Sequence, residues 1–225
     1  MTWIKICGIT NLEDALTAVD AGADALGFVF YEKSPRNVEV ETVRRIIDQV
    51  SVQVETVGVF VNRYDEQVRQ AVTTTGLNAV QLHLTDSSAF PSTLNQFGGV
   101  KHYLAFQANT YLNSDGDFEG FMMSRKEHQN GFLDAVFLDS GDAKSPGGTG
   151  VTFDWTKVRQ IAEVIEVCGF PLVVAGGLRP ENVVEAIRIL KPWGVDVSSG
   201  VEVSPGKKDP QKIRAFVQAV RASEN

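Results

Sequence analysis

Eight short apolar runs rich in β-branched residues recur along the chain, and all but the fifth are followed by a stretch with the spacing of an amphipathic helix. The strand-like runs are 3–7, 25–30, 55–61, 79–83, 101–106, 135–138, 171–175 and 195–198. The helical stretches are 11–21, 40–49, 65–75, 87–97, 154–168, 180–190 and 209–222. Between the fifth and sixth runs, 107–131 is rich in Asn, Ser, Gly and Asp; it predicts a mobile loop with a short helix near 118–124. Strand and helix in alternation predict a parallel sheet covered by helices. Eight units in 225 residues predict an α/β chain forming a single (β/α)8 TIM barrel over residues 1–225. An open, doubly wound sheet is the alternative. It would place a Gly-rich nucleotide turn after its first strand, whereas Gly8 stands alone there and the glycines gather after strands six, seven and eight.

Local signals agree with this order. Asn11 and Asp65 suit helix N-caps, Pro180 suits a first helical turn, and Gly22, Gly76 and Gly169 fall where C-terminal caps are expected.

Composition narrows the function classes. The formal charge of −7 argues against a nucleic-acid partner. No apolar run approaches the length of a membrane span, and the N-terminus lacks a secretory pattern. Cys7 and Cys168 have neither zinc spacing nor the numbers of a disulfide framework, which points to a reduced, cytoplasmic setting. Monomer and homodimer both remain open.

In a barrel, chemistry sits at the C-terminal ends of the strands. Cys7 ends strand one and is either an acid–base thiol in the mouth or a small buried hydrophobe. Asp139 closes an apolar strand and is either a proton donor or a structural carboxylate. Gly147-Gly148-Thr149-Gly150, Gly176-Gly177 and Ser198-Ser199-Gly200 follow strands six, seven and eight, where barrels often bind phosphate. Arg36, in the loop after strand two, has the fork to clamp a carboxylate, although a loop arginine is commonly just solvated. His83 ends strand four; His102 and His128 read as surface or loop groups, and the three histidines show no metal spacing. Lys5 alternates with Cys7, and Asp196 with Ser198, on strands that closure makes neighbours. A buried Lys5–Asp196 ion pair beneath the site is therefore expected.

Taken in order, several segments make the chain resemble the phosphoribosylanthranilate isomerase family. They are Lys5-Ile6-Cys7-Gly8-Ile9-Thr10, Ser34-Pro35-Arg36, Gly58-Val59-Phe60-Val61-Asn62 and Val80-Gln81-Leu82-His83. The series continues with Leu138-Asp139, Gly147-Gly148-Thr149-Gly150, Gly176-Gly177-Leu178 and Ser198-Ser199-Gly200-Val201-Glu202, then Pro205-Gly206-Lys207-Lys208-Asp209. The resemblance implies an Amadori rearrangement of N-(5-phosphoribosyl)anthranilate in tryptophan biosynthesis, with no metal or organic cofactor. It implies Asp139 as general acid and Cys7 as general base. It also implies Arg36, Gln81 and His83 as substrate-binding residues, and Gly148, Gly177, Ser199 and Gly200 as phosphate contacts. The chain departs from the family pattern at Leu84, usually glycine, and in strand five, so differences are expected around the mouth near strands four and five. The related aminoaldose isomerase of histidine biosynthesis fits less well: it resembles a two-fold repeat with paired aspartates, and here strand one ends in Cys7. A non-catalytic phosphosugar-binding barrel is the reading from another class.

Overall fold

The eight apolar runs lie side by side as parallel strands that close on themselves in sequence order, β1 pairing with both β2 and β8. The computed structural model describes residues 1–50, 54–61, 66–84, 99–108, 120, 122–123, 133–139, 155 and 158–224. The barrel strands are β1 (Trp3–Cys7), β2 (Ala25–Val29), β3 (Glu55–Val61), β4 (Ala79–His83), β5 (Lys101–Gln107), β6 (Ala135–Asp139), β7 (Leu172–Val174) and β8 (Gly194–Val197). The helices among the described residues are α1 (Leu12–Ala21), α2 (Val40–Ile47), α3 (Glu66–Thr75), α4 (Arg159–Val167), α5 (Val183–Leu190) and α6 (Pro210–Ala222). None of them is long and apolar enough to cross a membrane.

The helix signals acted largely as expected. The Asn11 side chain accepts from the Asp14 N–H and starts α1. Asp209 does the same for Gln211 and Lys212 ahead of Pro210, which takes the first helical position. Gly22, Gly76 and Gly169 all carry the positive φ of a helix end. The expectation for Pro180 fails, because α5 begins at Val183. The Asn182 side chain accepts from the Arg179 N–H and donates to the Gly177 carbonyl, closing a turn that delays the helix. Asp65, His128, the helix expected at 87–97 and most of 107–131 lie outside the described residues.

Alternation along each strand splits the chain into two apolar layers. Ile4, Ile6, Leu26, Phe28, Leu82 and Leu104 face outward beneath the helices. Val57, Tyr103, Phe137 and Val173 fill the barrel with small Ala25, Ala79 and Ala135 between them. Trp3 closes the N-terminal end, stacked on Trp193 at 5.1 Å and edge-on to Tyr103. Leu84 belongs to the outer layer: it is buried and hydrogen-bonds the Ala105 carbonyl, away from the mouth. His102, expected near the surface, is 5% exposed in β5, and burial pushes its imidazole below the usual value against the opposing charge of Asp134.

Between β8 and α6 the chain adds a short 3-10 turn, Ser199–Val201, and an antiparallel hairpin of β9 (Glu202–Ser204) and β10 (Lys207–Lys208). Pro205-Gly206 makes the hairpin bend, with Gly206 at φ 80°.

Candidate active site

Cys7, Arg36, Gln81, His83, Asp139, Gly177 and Ser199 all line one cavity at the C-terminal mouth of the barrel. Three reach it as the last inward-facing residue of a strand, Cys7 on β1, His83 on β4 and Asp139 on β6, and Gln81 lies one step below His83. Cys7 and Asp139 stand across the mouth from each other, since β7 and β8 intervene between their strands. Gly148 lies outside the described residues. Gly200 has a packing role of its own. A Cβ there would fall 1.8 Å from the Leu178 carbonyl oxygen, so its glycine permits two backbones to touch. Ser199 beside it, and Gly176-Gly177, face the cavity.

Beneath Cys7 lies the expected ion pair. Lys5 Nζ is 3.0 Å from Asp196 Oδ1, with Lys5 wholly buried. The ammonium also sits 5.2 Å above the Phe137 ring, whose negative face favours the charge. Burial alone would push Lys5 down; Asp196 and Cys7 outweigh it, and the ammonium is held above its ordinary value. Burial pushes the Cys7 thiol up, and Lys5 opposes that rise. Gly27 pairs with Cys7 across β1 and β2 and leaves the space these groups need. A Cβ at that position would sit 2.8 Å from Cys7 Sγ and 2.9 Å from Lys5 Cε.

His83 is kept neutral by burial, which pushes its imidazole down despite Asp139 and Asp196 nearby. Its Nε2, Gln81 Oε1 and Ser198 Oγ are buried and lack hydrogen-bond partners among the described residues. Such atoms cost about 1–3 kcal/mol each when left unmade. Three of them on one cavity equip it for a hydroxyl-rich ligand.

Arg36 is not solvated. Its Nε and Nη2 donate to Glu202 Oε1 and Oε2 at 2.9 and 2.7 Å, a bidentate pair that is buried on both sides. Glu202 also receives Lys208 Nζ at 2.9 Å, and that ammonium donates to the carbonyls of Cys7 at 2.5 Å and Ser198 at 3.2 Å. Burial alone would push Glu202 up; the hydrogen bonds from Arg36 and the charge of Lys208 outweigh it and hold the carboxyl below its usual range. The sequence offered no chemical reason to single out Glu202 or Lys208. Pro205-Gly206, a turn dipeptide between short polar runs, was the available signal for the hairpin that carries them.

Among the described residues, no group of three or more His, Cys, Asp and Glu could hold a metal ion. The arrangement instead provides a thiol and a carboxylate facing across a cavity, a cation at one rim and glycine-bearing loops after β7 and β8.

Comparison with known proteins is consistent across sequence and structure. The family model described as N-(5'-phosphoribosyl)anthranilate (PRA) isomerase matches residues 4–219. A protein of Geotalea uraniireducens named N-(5'-phosphoribosyl)anthranilate isomerase is 42% identical over 221 residues, 98% of this chain and 99% of its own. The phosphoribosyl anthranilate isomerase structure from Thermotoga maritima superposes with a TM-score of 0.78 at 37% identity, covering 99% of this chain and all of that one. A further phosphoribosyl anthranilate isomerase structure, in complex with reduced 1-(o-carboxyphenylamino)-1-deoxyribulose 5-phosphate, gives a TM-score of 0.75 at 37% identity, covering 99% of this chain and 100% of that one.

Proposed function

The chain belongs to the N-(5'-phosphoribosyl)anthranilate isomerase family, and from that premise we propose that its cavity converts N-(5-phosphoribosyl)anthranilate to 1-(2-carboxyphenylamino)-1-deoxyribulose 5-phosphate, with Asp139 as acid and Cys7 as base. The observation that carries this reading is the convergence of Cys7 and Asp139, from opposite arcs of the barrel, on one cavity that Arg36 also lines.

The chemistry needs one proton delivered and one removed. Asp139 protonates the ribose ring oxygen while the anilino nitrogen's lone pair expels it, so the C1–O bond breaks and an iminium forms. The iminium withdraws electrons from C2 and acidifies its proton. Cys7 takes that proton, the electron pair closes a C1–C2 double bond, and the enol tautomerises to the aminoketose. A buried thiol is a reluctant anion, but the iminium brings a second positive charge beside that of Lys5, which favours thiolate when the base is required. The iminium supplies the activation itself, so the sequence of steps calls for no metal or organic cofactor.

Gly177 and Ser199, which line the cavity, supply the phosphate side, together with Gly148 and the backbone N–H of Gly200. Glycine lets backbone N–H groups approach an anion closely. Held there, the phosphate anchors the sugar away from the reacting carbons, and that remote binding serves orientation. The unpaired polar atoms of Gln81, His83 and Ser198 meet the sugar hydroxyls. Arg36 reads the ring carboxylate with the guanidinium edge that Glu202 leaves open.

The direct test follows the fluorescence of freshly prepared phosphoribosylanthranilate. Purified protein should remove it well beyond the spontaneous rate, and loss at the spontaneous rate alone would overturn the assignment. Arg36→Met should chiefly raise KM, with a smaller fall in kcat, because its contact is the same in ground and transition states. An unchanged KM would count against direct contact with the carboxylate.

A further inference from the structure

We propose that Glu202, steadied by Lys208, is a positioning residue: it aims Arg36 at the ring carboxylate and so governs which arylamine sugars the cavity accepts. The inference rests on the reading of Arg36 given above and adds the device that makes it selective.

The geometry behind it is a chain of contacts through three loops. Glu202, at the start of β9, holds the Nε and Nη2 edge of Arg36 at 2.9 and 2.7 Å. A guanidinium has five N–H donors. This grip consumes one edge and directs the other, Nη1 with the remaining Nη2 hydrogen, as a planar fork suited to a second carboxylate. The arginine stem runs close over the Gly8 backbone, where an added Cβ would fall 2.6 Å from Arg36 Cδ. Glu202 is itself held. Lys208 Nζ has three hydrogens and three acceptors: Glu202 Oε1 at 2.9 Å, the Cys7 carbonyl at 2.5 Å and the Ser198 carbonyl at 3.2 Å. One ammonium thereby ties the strand end bearing the base to the rim before the β8 phosphate loop and to the carboxylate that orients Arg36. Lys212 Nζ reaches the Glu202 backbone carbonyl at 2.9 Å, and the Lys208 N–H reaches Asp14 at 2.9 Å, fixing both ends of the hairpin to helices.

A long side chain held this way has little freedom left to lose when ligand arrives. Released, it would bind the same carboxylate less well. Removing the negative charge of Glu202 acts in the opposite sense, because it leaves Arg36 more attractive to an anion. Two variants separate the effects. Glu202→Gln removes charge and one strong acceptor. Glu202→Asp keeps the charge but withdraws the carboxylate by about one carbon–carbon bond, about 1.5 Å.

The experiment measures Kd for two probes: the reduced product analogue carrying the ring carboxylate, and the same phenylaminodeoxypentitol phosphate without it. Glu202→Asp should weaken the carboxylated probe about tenfold and the uncarboxylated probe less than about twofold. Combined with Arg36→Met, it should add nothing for the carboxylated probe beyond Arg36→Met alone. Equal weakening of both probes would reduce Glu202 to a structural support, and tighter binding of the carboxylated probe by Glu202→Gln with no loss in Glu202→Asp would make it a charge neutraliser; either overturns the proposal. If Arg36→Met fails to distinguish the two probes, the reading of Arg36 itself has failed, which is a separate result. Should Glu202→Gln not fold, Glu202→Asp carries the test.

Discussion

Asp139→Asn and Cys7→Ser are each expected to lower kcat by about 10²–10⁴-fold, the usual contribution of a positioned acid or base and the consequence of the roles proposed for them. Both replacements are close to isosteric. Asn fills the space of the carboxylate at the end of β6 without an acidic proton. Ser keeps the tight clearance against Gly27, where Cys7 Sγ would lie 2.8 Å from an added Cβ, yet its hydroxyl is far too weakly acidic to serve as the base. Neither change touches the glycine loops or Arg36, so affinity for the reduced product analogue should change by less than about threefold. Single-turnover fluorescence separates the two quantities. Near-normal turnover with weakened binding, in either variant, would remove that residue from its assigned role.

Lys5→Met costs about 3–5 kcal/mol of stability, because it strands the Asp196 carboxylate in the barrel interior, where that group is 8% exposed. For a chain of this length such a loss corresponds to a fall in Tm of about 6–20 °C. The double variant Lys5→Met/Asp196→Asn should recover most of it, since the uncompensated charge is then gone. An unchanged Tm for the single variant would mean that the 3.0 Å pair contributes nothing. The same lysine bears on chemistry. Burial pushes Cys7 up while Lys5 pulls against it, so the thiol should titrate higher still without Lys5. In a Cys168→Ala background, the pH dependence of Cys7 alkylation reads this directly. A thiol titrating at the same pH would sink the coupling. Partial stability of Lys5→Met does not block the measurement, because the double variant provides a folded comparison.

The barrel itself was legible because its signal is periodic. Alternation places Lys5 with Cys7 and Asp196 with Ser198, and closure makes β1 and β8 neighbours, so the ion pair follows from the strand pattern alone. The same rule explains Leu84. One residue beyond His83, it turns outward under the helices rather than into the mouth, so its departure from the family pattern falls in the core and not on the cavity. His102 differs from its sequence expectation for a related reason: it alternates with Leu104 on the outward face of β5, and that face is buried.

What the sequence by itself determined is therefore the set of quantities carried by local pattern: strand order, the inward face of each strand, the helix cap at Asn11, and the strand ends that present Cys7, His83 and Asp139. Only the tertiary structure decided what each charged group faces. Arg36 and Glu202 lie far apart in the chain, and no periodicity links them. Their bidentate contact exists because the β9–β10 hairpin folds back over the β1 and β2 loops. Gly200 makes the same point from the other side. Its sequence context suggests a phosphate contact; that the carbonyl of Leu178 also occupies the place of its missing Cβ is visible only in the fold. Backbone periodicity is a short-range property and can be read along the chain, whereas pairing of buried charges and close approach of loops depend on groups brought together by closure of the barrel.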